Sequence, residues 1–187
     1  MVRIAVIDGQ GGCVGSTIIK KIKRSHGEKV QIWALGTNAA ATSQMMKVRA
    51  NRGASGENAV CHCVQQVDVI IGSLSILICN AMMGEITAAM VKAIGDSKAT
   101  KLLLPITEEP VAVVGAVSEP LPHLVERLLN DHLNPLLSER TIPQKGRHGR
   151  ILQMVSVELK EQSENKDIER QQELGSGEYS SPHPKQH

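Results

Sequence analysis

The sequence predicts an α/β fold: a doubly wound, mainly parallel β-sheet with helices on both faces. Short β-branched apolar runs alternate with amphipathic helical patterns, as in successive βαβ units. The apolar runs contain few polar residues, which is typical of strands buried on both faces of a sheet. A chain of 187 residues is long enough for one domain with its own hydrophobic core.

The first half of the chain contains two strand–helix pairs. An apolar strand over residues 2–7 ends at Asp8 and a cluster of glycines. The helix that follows carries isoleucines on one face and lysines on the other, and Gly27 ends it. A second strand covers residues 30–35, and residues 39–50 have the composition of a helix.

The second half continues the alternation. Residues 51–56 are polar and glycine-rich, which predicts a loop, and Ser55 is placed to cap a helix that runs to about Gln66. The remaining elements follow in order: a strand over 67–71, a strand or buried loop over 74–79, a helix capped by Thr87 and ended by Gly95, strands over 102–106 and 111–117, and a last helix that buries Leu121, Leu124, Val125, Leu128 and Leu129.

These elements define three parts of the chain. Residues 1–138 form a Rossmann-like α/β domain. Residues 139–157 form a basic connector that ends in a short apolar patch. Residues 158–187 contain very few large apolar side chains, so we predict a disordered polar tail.

The composition of the chain indicates which kinds of partner it is suited to bind and which cellular compartment it occupies. The 21 basic and 19 acidic residues nearly balance, and Trp33 and Tyr179 are the only aromatic residues, so neither charge nor stacking indicates nucleic acid. The longest apolar run, over 67–83, is interrupted by polar residues, so we expect no membrane span. No signal peptide is recognisable, so we do not expect a secreted protein. Four scattered cysteines fit a reducing compartment, and we expect a cytoplasmic protein.

The glycine-rich segment over residues 8–15 is the most informative motif. It lies between a strand and a helix, where the helix N-terminus offers unpaired N–H groups and a partial positive charge. We therefore predict that it binds a small phosphate-bearing ligand, for example a nucleotide or dinucleotide. The cofactor stays unidentified, because the spacing G-x-G-x-x-x-G is one residue longer than the dinucleotide fingerprint and Thr37 and Asn38 follow the second strand where an acid is usual.

Polar residues at the carboxyl ends of parallel strands converge on one crevice. The loop before the third helix offers a second anion-binding rim, with a capped helix start as the alternative interpretation. Asn80 and Glu85 are interpreted as groups that cap the helix near Thr87. The predicted ligand-binding residues are Asp8, Gly9, Gln10, Gly11, Gly12, Gly15, Thr37, Asn38, Ser55, Gly56, Glu57 and Asn58.

Two other functions stay open at this point. In one alternative, the chain is an enzyme of unknown reaction that uses the same crevice. It depends either on a nicotinamide or on the Cys13 thiol at the helix N-terminus. In the other, the chain is a structural or assembly protein with an empty glycine turn, and homo-oligomers are compatible with either. No metal site is predicted, because Cys61 and Cys63 lie two residues apart on a helix and point to different faces.

Several segments together resemble a known family. They are VRIAVIDGQGG (2–12), ALGTNA (34–39), GENA (56–59), DVIIG (68–72) and GEIT (84–87), and they occur in the family's order over about residues 1–117. The sequence is similar in these segments to a bacterial family defined as domain of unknown function 3842. The resemblance implies a shared fold and leaves the activity open. The chain departs from the family pattern at Cys13, where a glycine is expected.

Overall fold

The computed structural model describes residues 1–141. Five parallel strands form one sheet in the order β3-β2-β1-β4-β5. The predicted connector beyond Thr141 and the predicted tail over 158–187 lie outside the described residues. The strands are β1 (Val2–Asp8), β2 (Val30–Gly36), β3 (Arg52–Ser55), β4 (Val69–Ser73) and β5 (Thr100–Leu104).

The helices connect these strands as the alternating pattern predicts. Short 3₁₀ turns cover Gly27–Lys29 and Leu74–Leu77, and a π-helical segment, Leu128–Leu133, lies between the last two helices. In the described part of the chain, no helix is long and apolar enough to cross a membrane. The helices are α1 (Cys13–His26), α2 (Ala39–Lys47), α3 (Glu57–Cys63), α4 (Ala88–Asp96), α5 (Leu121–Arg127) and α6 (Asn134–Thr141).

Helices cover both faces of the sheet, which confirms the predicted doubly wound α/β class. On one face α1, α2 and α5 pack on the strands through residues such as Ile18, Met45 and Val125. On the other face α3 and α4 pack through residues such as Val60 and Ile94. Because β2 and β4 lie on opposite sides of β1, the chain reverses direction across the sheet there. The carboxyl end of β1 is therefore the switch point, where such folds bind ligands.

Two of the predicted local structures were wrong. Part of the predicted loop over 51–56 is the edge strand β3, which pairs with β2 from Trp33 to Gly36. Its four residues are mostly exposed and include a glycine, so the segment has no apolar pattern by which to recognise it. The apolar run over 111–117 forms no strand, and Val114 is almost fully exposed. Apolar composition there reflects a surface segment and not a buried strand.

The segment over 74–79 and the ends of two helices also differ from the predictions. Residues 74–79 form neither a strand nor a simple loop, because Leu74–Leu77 is a 3₁₀ turn that buries Ile76. Thr87 caps α4 as predicted, by accepting a hydrogen bond from the Met90 N–H, but the helix continues past Gly95 to Asp96. The third helix ends at Cys63 and not at Gln66.

Candidate functional site

The glycine-rich segment forms a tight turn at the switch point of the sheet. The Gly12 N–H donates to the Gly9 carbonyl over 2.9 Å, and α1 begins at Cys13. Gln10 and Gly12 adopt left-handed φ angles of 49° and 70°. This conformation disfavours side chains with a Cβ, which explains glycine at position 12.

Close packing explains three of the glycines but not Gly11. A Cβ at Gly12 would lie 2.7 Å from the Ala41 carbonyl oxygen, and one at Gly15 would lie 2.9 Å from the Asp8 Cβ. A Cβ at Gly9 would lie 2.6 Å from the Met82 sulfur. At Gly11 the nearest atom would be the Cys13 sulfur at 3.9 Å, in ordinary contact. The packing of the described residues therefore leaves room for a side chain at position 11.

Asp8 is buried and holds the loop together. Its carboxylate accepts hydrogen bonds from the Gly9 N–H at 2.9 Å and from the Gly15 N–H at 2.6 Å. Burial raises the pKa of this carboxyl, and the negative charge of Glu85 raises it further, against the lowering effect of the Gly15, Gly9 and Val14 N–H groups. Because Gly12 has no side chain to cap α1, the Asp8 carboxylate takes that role from the end of β1.

Thr37 and Asn38 lie beside the loop, as the convergence of strand ends predicts. The Thr37 N–H donates to the Asp8 carbonyl over 3.0 Å. The Asn38 side chain caps α2 by accepting from the Ala41 N–H at 2.8 Å, and its amide group donates to the Gln10 carbonyl at 3.1 Å. The end of β2 is thus tied directly to the glycine loop.

Glu85 is the site residue that the sequence interpretation missed. Its Oε2 atom accepts hydrogen bonds from the Gln10 N–H at 2.8 Å, from the Asn38 side-chain amide at 2.9 Å and from the Thr37 hydroxyl. Glu85 does not cap α4, since Thr87 does. The available signal was an acid after Gly84 in an otherwise apolar segment, which gives no indication of a partner 75 residues away in the sequence.

The environment of Glu85 favours its ionised form. Burial acts to raise the pKa, but the hydrogen bonds from Thr37, Gln10 and Asn38 together outweigh burial, and the pKa of Glu85 lies below its ordinary value. The segment before it is unusual, because Asn80, Met82 and Met83 have φ angles of 64°, 56° and 59°. This backbone places the Glu85 carboxylate at the ends of β1 and β2.

The predicted second rim lies at the end of the neighbouring strand. Ser55 does not cap α3, since Gly56 is the capping residue and no side chain caps the helix there. Instead the Ser55 hydroxyl lies 2.6 Å from the Thr42 hydroxyl, and the Gly56 N–H donates to the Gly36 carbonyl at 2.9 Å. Glu57 and Asn58 are exposed on the first turn of α3. Among the described residues, neither forms a hydrogen bond with the glycine loop.

A family model matches most of this domain. The model for domain of unknown function 3842 matches residues 3–136. The chain belongs to this family. A comparison with curated proteins finds no similar sequence.

Two solved structures are distantly similar to this DUF3842 chain. One is a prephenate dehydrogenase from A. aeolicus in complex with hydroxyphenyl propionate and NAD⁺, with 16% identity, a TM-score of 0.34, and coverage of 70% of this chain and 39% of that one. Another is a dodecameric FMN-dependent Ubix-like decarboxylase from Escherichia coli O157:H7, with 10% identity, a TM-score of 0.38, and coverage of 80% and 98%. Similarities of this size transfer neither a ligand nor an activity.

The four cysteines within residues 1–141, Cys13, Cys61, Cys63 and Cys79, are free thiols. Cys13 is exposed at the start of α1. Cys61 and Cys63 lie on α3, and burial raises the pKa of both thiols. Within residues 1–141, no three histidine, cysteine, aspartate or glutamate side chains are grouped as a metal site requires.

Two shallow clefts lie away from the glycine loop. One, of about 360 Å³, lies between β5 and the segment containing Leu124 and His132. The other, of about 220 Å³, is lined by Trp33, Arg52 and His62. The Arg52 guanidinium lies 5.4 Å from the centre of the Trp33 ring. These clefts are the structural alternatives to a ligand site on the loop.

Proposed function

We propose that this domain binds a nucleotide or another small phosphate-bearing molecule on the loop between Gly9 and Gly15. The predicted site residues have different roles in this proposal. The loop N–H groups contact the ligand, while Asp8 and Asn38 hold the loop in shape. Residues Ser55 to Asn58 form an outer rim for the part of the ligand that extends from the loop.

The proposal rests on the unpaired backbone N–H group of Gly11. Within the described residues its N–H has no acceptor, and neither has the N–H of Cys13 at the first position of α1. The first turn of α1 contains no acidic residue, and the last turn contains Lys23, Arg24 and His26. An anion beside Gly11 would therefore meet two free donors at the start of α1, where the next N–H groups, those of Val14 and Gly15, already donate to the Asp8 carboxylate.

Gly11→Val tests this site directly. A β-branched side chain at a position open to solvent obstructs the approach of a ligand to the loop backbone while the fold remains intact. We expect the variant to lose at least ten-fold in affinity for any nucleotide that binds, measured by calorimetry. Its own stability cost should stay within about 0.5–3 kcal/mol, as for most single substitutions.

The ligand itself can be found with a thermal-shift panel of nucleotides, dinucleotides and pyrophosphate. A ligand present at about 100 times its dissociation constant adds about 2.7 kcal/mol of stability. Gly95→Ala is the matched control, because a Cβ at Gly95 meets no atom within 4 Å and the residue lies within α4. Affinity equal to wild type in Gly11→Val would place the site elsewhere.

Catalysis is a separate question with a separate readout. If the ligand from the panel is recovered unchanged after long incubation, the domain is a binding module. Turnover that depends on Cys13 or on a nicotinamide would favour one of the enzyme alternatives. Failure of every compound in the panel to bind would favour the structural or assembly alternative.

A further inference from the structure

The carboxylate of Glu85 lies at the end of β2, although no acidic residue directly follows β2 in the sequence. In dinucleotide-binding folds, an acid at the end of the second strand accepts hydrogen bonds from the ribose hydroxyls. Here Thr37 and Asn38 follow β2, and both side chains donate to Glu85, which comes from the segment after β4. Glu85 also accepts the Gln10 N–H, so the acid touches the glycine loop.

The hydrogen bonds to Glu85 leave half of its carboxylate free. All three donors reach Oε2, whereas no described residue donates to Oε1. A carboxylate has about four acceptor positions, so capacity for further donors remains. The side chain is only half-buried, so a ligand can reach the group.

We infer that Glu85 is the diol-binding acid of this site and that the ligand is a ribonucleotide whose ribose 2′- and 3′-hydroxyls are free. The inference rests on the proposed function, because the phosphates are assigned to the Gly11 and Cys13 N–H groups. Gln10 separates the two regions, since its own N–H is bonded to Glu85 and its neighbour Gly11 has a free N–H. Phosphates and ribose would then occupy adjacent ends of one loop.

Charge restricts the ligand further. The groups that contact Glu85 are an amide N–H, a hydroxyl and a carboxamide, and none of them is a cation. The Asp8 carboxylate is close enough for its pKa to respond to the charge of Glu85. A ribose carrying a 2′-phosphate would therefore meet like charge, whereas neutral hydroxyls would donate to the carboxylate. Specificity for the unphosphorylated ribose follows.

The test compares ADP, 2′-deoxy-ADP and pyrophosphate by calorimetry. We expect wild type to bind ADP about ten-fold more tightly than 2′-deoxy-ADP, which corresponds to the loss of one hydrogen bond to a charged group. In Glu85→Gln, the ratio of the affinity for ADP to the affinity for 2′-deoxy-ADP should fall below about three. Pyrophosphate should bind this variant at least as tightly as it binds wild type. Glu126→Gln, at an exposed position on α5, is the control and should keep the wild-type ratio.

The outcomes separate this inference from the proposed function. Equal affinity of wild type for ADP and 2′-deoxy-ADP would overturn the role of Glu85 and leave the phosphate site standing. A ratio that persists in Glu85→Gln would do the same. If neither pyrophosphate nor any nucleotide of the panel binds wild type, the phosphate site fails and this inference fails with it. The wild-type comparison needs no variant, so a poorly folded Glu85→Gln cannot hide the answer.

Discussion

At the scale of single residues, neighbouring glycines in one loop have different reasons to be glycine. Gly12 needs a left-handed φ and close contact with Ala41, and Gly15 lets α1 lie against the Asp8 side chain. Gly11 has neither requirement in the described structure. The sequence predicted a tight turn from the glycine cluster, but these roles depend on residues distant in the chain. That is why the sequence could not single out Gly11.

Glu85 should make stability depend on pH in a defined direction. Its pKa in the folded protein lies below its ordinary value of 4.5, so the stabilisation is present above that pH and is lost as pH falls through the lowered pKa. We expect wild type to be more stable than Glu85→Gln by about 1–2 kcal/mol at pH 7. The difference should approach zero at low pH, where protonated Glu85 resembles glutamine.

Urea denaturation of both proteins at a series of pH values from pH 7 to about pH 2 measures this difference. Asp8 is present in both proteins and its raised pKa acts in the opposite direction, so only the contribution that the Glu85 charge makes to that pKa differs between them. A stability difference that stays constant across this pH series would show that the charge of Glu85 contributes nothing to the fold.

At the scale of elements, burial on both faces decided which strands could be predicted. β1, β2 and β4 are nearly continuous apolar runs, and each was found within two residues of its observed ends. The edge strand β3 has no such signal, because pairing with β2 holds it and side-chain burial does not. The run over 111–117 is apolar in the same way, but it forms no strand and pairs with no strand of the sheet. Pairing is a long-range property that local composition does not contain.

The segment before Glu85 offers a test of local backbone strain. Met83 has a φ angle of 59° and is 94% exposed, so its side chain contributes little packing. A residue with a Cβ costs about 1–2 kcal/mol in this conformation, whereas glycine costs about 0.5–1 kcal/mol in lost chain entropy. We expect Met83→Gly to raise the free energy of unfolding by about 0.5–1 kcal/mol.

Ala89→Gly is the matched control for that substitution. Ala89 is exposed within α4, where glycine costs about 1 kcal/mol relative to alanine, so this variant should be destabilised. Thermal unfolding of the two variants should therefore shift in opposite directions. Destabilisation of both would mean that the left-handed backbone at Met83 is not strained.

At the scale of the whole molecule, the alternating pattern was sufficient to predict the doubly wound sheet. It also placed the glycine loop, Thr37 and Asn38 at one edge, because the carboxyl ends of parallel strands lie together. The crossing of the segment after β4 to the end of β2 was not predictable. It depends on hydrogen bonds from Gln10, Thr37 and Asn38 to Glu85, which only the folded chain brings together.

The proposed ligand site on the loop is tested most directly by backbone amide NMR of the ¹⁵N-labelled protein. During titration with ADP, we expect the largest shift changes at the Gly11 and Cys13 amides, whose N–H groups are free in the described structure. The amides of Gly53 and Gln66, which line the cleft beside Trp33, should stay unchanged. Changes centred on Gly53 and Gln66, with Gly11 and Cys13 unaffected, would contradict a ligand site on the glycine loop.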